Sequence, residues 1–283
     1  MKLACSFLLI GLFFVLDAAS AQTLKESVQE QVQQAGQEQV QKNEPSIEPA
    51  EAAPSMVEVS GTKDPDWKRY RAMLKGVDAF EKHHALAPQA EQKFILRPRH
   101  AGASRTGVTL RLAGNETSLP IAMAEDGSFV LPRDKQLQEE DAELLINRKK
   151  EMFRWWPYVR SPQLAPNQRR LGDLRLECEM FWAFKYDDAP FVARNVVRAL
   201  GGPCTTKKVS INFPADYMGL KSATLVHGEL RLVLPVDKKT SAFLAPLSDQ
   251  KLSNDAIILL EYEEGADSTQ KTNYSGLNVT AGF

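Results

Sequence analysis

The chain has 283 residues and a formal net charge of −1, with 43% hydrophobic and 25% charged residues. This balance excludes the strong positive charge that is typical of nucleic-acid-binding proteins, so we expect no nucleic-acid partner. The charge is nevertheless uneven. Residues 22–66 carry three Lys against nine Asp and Glu, whereas the chain from Trp67 onward has 31 basic and 26 acidic residues.

The first 21 residues have the pattern of a secretory signal peptide. Lys2 gives a positively charged N-terminal region, and an apolar run extends from Leu3 to Leu16. Ala19-Ser20-Ala21 then supplies the small residues that precede a signal-peptide cleavage site. The run is shorter than the roughly 20 apolar residues that span a bilayer. We therefore expect an exported mature chain, periplasmic or extracellular, that begins at Gln22 and has no transmembrane span.

Residues 22–63 form an acidic segment that contains no aromatic residue and is rich in Gln, Glu and Pro. Pro45, Pro49 and Pro54 exclude a long helix in its second half, because proline lacks the N–H that a helix interior needs. This composition predicts a disordered linker. Its function is either that of a simple spacer or that of a segment that folds on a partner.

Residues 64–88 predict a helix that packs on the rest of the protein. Asp64 suits the N-cap and Pro65 suits the first helical position. An apolar stripe then follows at helical spacing, formed by Trp67, Tyr70, Leu74, Val77 and Phe80.

Residues 89–262 predict a β-rich body in which alternating apolar residues mark short strands. The predicted strands are Lys93–Arg97, Val108–Leu112, Ser118–Ala124, Phe129–Leu131, Ala142–Asn147, Leu174–Phe184, Val209–Phe213, Ala223–Val226, Glu229–Leu234 and Ile257–Tyr262. One further helix is predicted over Pro190–Leu200, and residues 263–283 are expected to be a flexible tail. The fold class is mainly β with packed helices (α+β), an antiparallel sandwich-like body that forms one unit or two sub-domains, 89–165 and 166–262.

Two cysteines remain once the predicted signal peptide, which contains Cys5, is removed. Cys178 and Cys204 are expected to form one disulfide in an oxidising compartment, with buried thiols as the alternative. Cys178 lies on the apolar face of the predicted strand Leu174–Phe184, and Cys204 follows the predicted helix Pro190–Leu200. A bridge between them would therefore have a structural role.

Two short stretches resemble a known family of small domains. Gly107–Leu112 alternates apolar and polar residues, and Asp126–Pro132 contains an Asp-Gly turn followed by Phe129. Together, residues 107–132 resemble carboxypeptidase-regulatory-like or transthyretin-like modules. The resemblance implies a small antiparallel β-sandwich that is usually non-catalytic, and it carries over no functional residue.

A cluster of aromatic and cationic residues is the candidate binding patch. It consists of Arg154, Trp155, Trp156 and Tyr158. Exposed aromatic rings stack on sugars or anchor interfaces, and arginine suits carboxylates and phosphates. The alternative is that the rings fill the core. Since Trp155 and Trp156 are adjacent, they cannot both face one core from a regular strand, so we expect at least one of them near the surface or in a bulge.

No catalytic motif, cofactor-binding loop or metal-ligand pattern is recognisable, so the sequence predicts neither a cofactor nor a metal. The function favoured by the sequence is therefore that of a secreted, non-catalytic protein of the cell envelope, with a binding or structural role. An envelope glycan or envelope protein is the expected partner. Two alternatives stay open: an assembly or chaperone-like partner in the periplasm, and a hydrolase of envelope polymers with an unrecognised active site.

Overall fold

A computed structural model describes residues 62–100, 103–266 and 280–281. The predicted signal peptide and almost all of the predicted linker lie outside the described residues. All strand pairs of the described part are antiparallel, and helices pack on the sheets. This architecture confirms the predicted fold class, a mainly β protein with packed helices.

The predicted first helix begins later than expected. Strand β1 occupies Pro65–Arg69, and helix α1 follows at Tyr70–His83. The prediction of a helix from Asp64 was wrong because β1 pairs with a later strand, and that pairing takes precedence over local capping signals. The apolar stripe of α1 is nevertheless buried as predicted, through Tyr70, Leu74, Val77 and Phe80.

Two antiparallel sheets are built from strands that precede residue 158. The first has the order β1-β6-β3-β4 and the second the order β5-β2-β7. The bounds of these strands, besides β1, are Phe94–Pro98 (β2), Leu110–Ala113 (β3), Ser118–Ile121 (β4), Ser128–Phe129 (β5), Glu143–Lys149 (β6) and Phe153–Pro157 (β7). A short helix α2, Lys135–Glu139, is capped by the Asp134 side chain, which accepts a bond from the Leu137 amide.

The later strands pair only with one another. Their sheets have the orders β12-β11-β15-β8, β10-β14-β13 and β16-β9. The strand bounds are Gln168–Arg170 (β8), Val209–Ser210 (β9), Asn212–Pro214 (β10), Leu220–His227 (β11), Leu230–Leu234 (β12), Val236–Asp237 (β13), Ala242–Leu244 (β14), Ile257–Tyr262 (β15) and Thr280–Ala281 (β16). The predicted strands Ala223–Val226 and Glu229–Leu234 correspond to β11 and β12, which pair as a hairpin, and β15 lies in the interior of its sheet.

The segment Leu174–Phe184 is a helix, and its prediction as a strand was wrong. Helix α3 spans Leu171–Lys185, and eleven of its fifteen residues are buried. A helix that is buried on nearly every side has no polar face. Its sequence therefore lacks the recurrence of apolar residues every 3.6 positions by which an amphipathic helix is recognised. Two of the polar residues that alternate with apolar ones, Arg175 and Glu177, are buried as well. Arg175, for example, donates to the carbonyls of Leu247 and Asp249 at 3.0 and 2.6 Å.

Helix α3 contributes to both hydrophobic cores of the described part. Its residues Leu176, Met180 and Phe184 belong to the core of α1 and the earlier strands. Leu174 and Cys178 belong to the core of the later strands. The strands thus form two groups that pair separately, and the boundary between the groups lies where the predicted sub-domains 89–165 and 166–262 meet. Helix α3 contributes to both cores.

Helices α1 and α3 approach closely at Gly76. A Cβ atom at this position would lie 3.3 Å from the Met180 carbonyl oxygen and 3.3 Å from Phe184 Cβ. The missing side chain therefore lets the two helices pack at short range, which fixes the position of α3 against the earlier strands.

The predicted disulfide is present between Cys178 and Cys204, whose Cα atoms are 5.8 Å apart. It links the middle of α3 to the segment after helix α4, Phe191–Ala199. Helix α4 lies within the predicted range Pro190–Leu200, and it is followed by Gly201 and Gly202, which have positive φ angles of +91° and +88°. The bridge therefore braces two helices, and not a helix and a strand as the sequence suggested.

The predicted tail is described at residues 263–266 and 280–281. Thr280 and Ala281 pair with Ser210 and Val209, so the tail takes part in a small sheet where the sequence predicted a loose end. The rest of the predicted tail lies outside the described residues. No helix in the described ranges has the length and apolar character needed to cross a membrane.

Candidate functional site

The two adjacent tryptophans of the candidate patch are both buried. Trp155 and Trp156 are 2% and 1% exposed, so the expectation that one of them lies at the surface was wrong. Successive side chains of a strand point to opposite faces, and here both faces of β7 are covered. Each indole N–H has an acceptor: Asp66 Oδ2 at 3.2 Å from Trp155, and Glu177 Oε1 at 2.6 Å from Trp156.

The rings of these tryptophans pack against aromatic neighbours on opposite sides of β7. Trp155 meets Phe129 edge to face, with ring centroids 6.1 Å apart. Trp156 lies against Phe181 of α3 at 4.5 Å. The candidate patch therefore does not form as an exposed group of rings.

The four residues of the candidate patch contribute to two different cavities. Arg154, Trp155 and Trp156 contribute to the wall of a groove with a volume of about 980 Å³. Tyr158, which is half-buried, lines a second pocket of about 520 Å³. The larger groove is the candidate functional site.

The groove lies between β1, β7, the C-terminal half of α3 and helix α4. All four tryptophans of the chain line it, because Trp67 of β1 and Trp182 of α3 join Trp155 and Trp156. Trp67 and Trp182 are half-buried and present part of their rings to solvent. The groove thus combines an aromatic wall with a concave shape, as ligand sites commonly do.

Cationic side chains outnumber acidic ones along the groove. The cationic residues are Lys68, Arg69, Arg99, Lys150, Arg154, Lys185 and Arg194. The acidic residues are Asp66, Glu151, Asp187 and Asp188.

Ion pairs already engage two of these carboxylates. Asp188 pairs with Lys185 at 2.7 Å, and Asp187 pairs with Lys75 and, at 3.8 Å, with Arg194. A further carboxylate, Asp64, does not line the groove and pairs with Lys150 at 2.7 Å. The lining residues nevertheless keep an excess of cationic over acidic side chains.

Lys68 lies near two other cations and two carboxylates. Burial lowers the pKa of Lys68, and repulsion from Lys185 and Arg99 lowers it further, against the attraction of Asp66 and Asp188. Burial also raises the pKa of Asp66, although the hydrogen bond from Trp155 opposes that shift. An anion bound beside Lys68 would relieve the repulsion between these cations.

The rim of the groove includes an apolar helix surface. Helix α4 contributes Ala193, Arg194 and Val197 to the groove. Its residues Phe191 and Val192 are 69% and 73% exposed, and no residue of α4 is buried. The predicted helix is therefore present, while its apolar side remains accessible.

The histidines do not form a metal site in the described part of the chain. His84 Nε2 lies 3.2 Å from the carbonyl oxygen of Ala90, and His83 Nε2 lies 3.9 Å from Glu179 Oε2. In residues 62–100, 103–266 and 280–281, no three His, Cys, Asp or Glu side chains converge as metal ligands would.

Comparisons with protein-family models, curated proteins and solved structures find no match to this chain. The resemblance of residues 107–132 to transthyretin-like modules therefore stays a prediction. The case for a function rests on the groove itself.

Sequence reasoning missed the principal residues of the groove. Lys68 and Trp67 were assigned to a helix, and Trp182 and Lys185 were assigned to a strand or its end. Their common location depends on the packing of α3 on α1 and on the pairing of β1 with β6, which are contacts between distant parts of the chain. Two sequence signals pointed towards an anionic ligand: the surplus of cations after residue 66 and the arginine of the candidate patch, Arg154.

Proposed function

We propose that this protein is an exported, non-catalytic binding protein of the cell envelope, and that its groove binds an anionic envelope glycan. The observation that carries the proposal is the groove, which brings all four tryptophans together with a surplus of cationic side chains. Carbohydrates stack on exposed indole faces, which Trp67 and Trp182 can offer because they are only half-buried, and acidic sugars pair with Lys and Arg.

The chemistry of the groove favours binding over hydrolysis. Among its lining residues, all of which the structure describes, there is no His, Ser, Thr, Cys or Tyr. Serine- and cysteine-type hydrolases use these side chains, whereas glycoside hydrolases use a pair of carboxyl groups. Of the four carboxylates that line the groove, Asp187 and Asp188 are engaged in ion pairs. The buried carboxyl group of Asp66 accepts the indole hydrogen bond of Trp155, which gives it a structural role.

Export is supported by the pattern of residues 1–21 and by the disulfide between Cys178 and Cys204, since such bonds persist in oxidising compartments. The acidic segment before the groove fits a spacer between the folded part and a point of attachment. The net positive charge of the chain from Trp67 onward suits an anionic polymer as the partner.

Replacing Lys68 by glutamine tests the proposal. We expect Lys68→Gln to weaken binding of sodium polygalacturonate, an anionic glycan, by about tenfold, because one charge-assisted contact is lost. The same substitution should keep or raise the melting temperature. The pKa of Lys68 is lower in the folded chain than in the unfolded one, so its positive charge opposes folding at neutral pH.

Tryptophan fluorescence is the readout, because all four indoles line the groove. Lys221→Gln is the matched control, since Lys221 is exposed on β11 and does not line the groove. Dextran serves as the neutral glycan and poly-L-glutamate as the acidic polypeptide. Binding of dextran as strong as that of polygalacturonate would contradict the proposal, as would unchanged binding by Lys68→Gln.

A second candidate function, that of an assembly or chaperone-like partner, is favoured by strand β12. This strand is an edge of its sheet in the described part, where β11 is its one neighbour. Leu230, Leu232 and Val233 are 45%, 41% and 75% exposed. An exposed apolar edge is a template for an extended segment of another polypeptide. The partner in this case would be an unfolded envelope protein.

Replacing Val233 by lysine tests this second function. Val233 is exposed, so the change in the free energy of unfolding should stay within about 0.5 kcal/mol. A lysine on the edge strand should abolish any ability to keep reduced, refolding lysozyme from aggregating, as measured by light scattering. If the unaltered protein does not reduce the scattering, or if Val233→Lys reduces it equally well, the chaperone-like function is wrong.

A further inference from the structure

A second pocket, separate from the groove, has three arginines in its wall. It has a volume of about 520 Å³ and lies between β2 and the loop 158–166. Arg97 of β2, Arg105 and Arg160 line it, together with the acidic residues Asp126 and Asp216. Guanidinium groups bind carboxylates and phosphates through paired N–H groups, so three of them around one pocket suggest an anion as its ligand.

Two of the arginines share a single carboxylate. Arg97 Nη2 lies 3.4 Å from Asp216 Oδ1, and Arg160 donates to Asp216 Oδ2. Burial would raise the pKa of Asp216, but attraction from Arg160, Arg97 and Arg169 outweighs burial and lowers the pKa. Asp216 therefore stays ionised, but its one charge does not neutralise both guanidinium groups.

The third arginine adds a further positive charge to the pocket. Burial lowers the pKa of Arg105; the attraction of Asp126 and Glu125 opposes this shift, and repulsion from Arg97 adds to it. The pocket thus holds three cations against two carboxylates.

Hydrogen bonding gives an independent indication of a missing acceptor. The Nε atoms of Arg97, Arg105 and Arg160 are all buried and have no hydrogen-bond partner in the part of the chain that the structure describes. Arg97 as a whole is 7% exposed. Buried N–H groups without an acceptor are rare because they lose their hydration and gain nothing in return. Three of them around one pocket are explained by an acceptor that the protein itself does not supply.

We propose that this pocket binds the carboxylate or phosphate group of a ligand between Arg97, Arg105 and Arg160. Such an oxyanion accepts several hydrogen bonds. Its negative charge would also balance the surplus of the three arginines over the two carboxylates in the pocket wall. The half-buried rings of Tyr158 and Tyr217 also line the pocket and would contact the rest of the ligand. This site is distinct from the groove proposed for the envelope glycan.

Replacing Arg105 by alanine tests the site. Arg105 has no part in the ion pair with Asp216, and it lies beside another cation, so the variant should fold with an unchanged or higher melting temperature. In the disulfide-bonded protein, inorganic phosphate or acetate should raise the melting temperature in proportion to the logarithm of its concentration. Arg105→Ala should weaken the affinity for the active anion by about tenfold or more.

A control variant makes the outcome specific. Arg111→Ala removes an exposed arginine of β3 that lines neither the groove nor the pocket, and it should respond to the anion as the unaltered protein does. Ionic strength is kept constant with sodium chloride. A response to phosphate alone assigns a phosphate group to the ligand, and a response to acetate assigns a carboxylate. The proposal is overturned if neither anion raises the melting temperature, or if Arg105→Ala responds as strongly as the unaltered protein.

Discussion

Replacing Glu177 by alanine is expected to lower the free energy of unfolding by about 3–5 kcal/mol, since it removes one partner of a buried ion pair. The Glu177 side chain is 1% exposed, and Oε2 lies 2.7 Å from Arg169 Nη2, whose side chain is also 1% exposed. Oε1 accepts the indole N–H of Trp156 at 2.6 Å. The variant would leave a buried guanidinium group and a buried indole N–H without their acceptor.

Urea unfolding of three variants separates these contributions. Glu177→Gln keeps an acceptor for Trp156 and loses the ion pair, so its loss of stability should be smaller than that of Glu177→Ala. Glu179→Gln is the matched control on the same helix. Burial raises the pKa of Glu179 despite the attraction of His83 and Lys82, so its charge does not stabilise the fold and the loss should stay below about 0.5 kcal/mol. Equal losses for Glu177→Ala and Glu179→Gln would contradict the buried network.

Removal of the disulfide is expected to have the second largest effect. Cys178 and Cys204 are separated by 26 residues in sequence. In the chain-entropy model, a loop of this length corresponds to about 3.5 kcal/mol of stabilisation, because the bridge restricts the unfolded chain. Both sulfur-bearing residues are buried, at 1% and 5% exposure, so the double variant Cys178→Ala/Cys204→Ala also loses a little packing.

Chemical reduction provides the control for this prediction. Dithiothreitol should destabilise the unaltered protein by a similar amount and leave the double variant unchanged. Mass spectrometry should show a gain of two hydrogens on reduction of the mature chain. If urea unfolding of the unaltered protein is the same with and without dithiothreitol, the bridge does not stabilise the fold.

Much of the β-structure could be predicted because its signals are local. Patterns of apolar residues located β11 and β12, a short apolar run located β15, and the Asp126-Gly127 pair marked a turn in which Gly127 has a φ angle of +88°. The stripe of α1 was also visible at helical spacing. These features depend on residues that are near one another in sequence.

Helix α3 shows where such reasoning fails. Leu174, Leu176 and Cys178 alternate with Arg175 and Glu177, which is the pattern of a half-buried strand. In the structure both sets are buried, since the polar residues bond to distant loops and to β7. Burial on every side removes the polar face by which a helix is recognised.

The sequence predicted some of the residues of the candidate site but not its location or the exposure of its side chains. Arg154, Trp155 and Trp156 do contribute to the groove, but both tryptophans are buried beneath helix and strand neighbours. Their partners Asp66 and Glu177 are 89 and 21 residues away in sequence. No local pattern connects residues so far apart, so the exposure of the rings and the position of the groove required the tertiary structure.

Affinity capture from native envelope material tests the central claim, that the groove binds an anionic partner, most directly. The oxidised mature protein and its Lys68→Gln variant are immobilised in equal amounts, and the retained carbohydrate and protein are quantified after a salt wash. We predict that the unaltered protein retains an acidic glycan, which elutes as the salt concentration rises, and that Lys68→Gln retains much less of it. Equal retention by the two proteins, or the absence of acidic glycan from the retained material, would contradict the account.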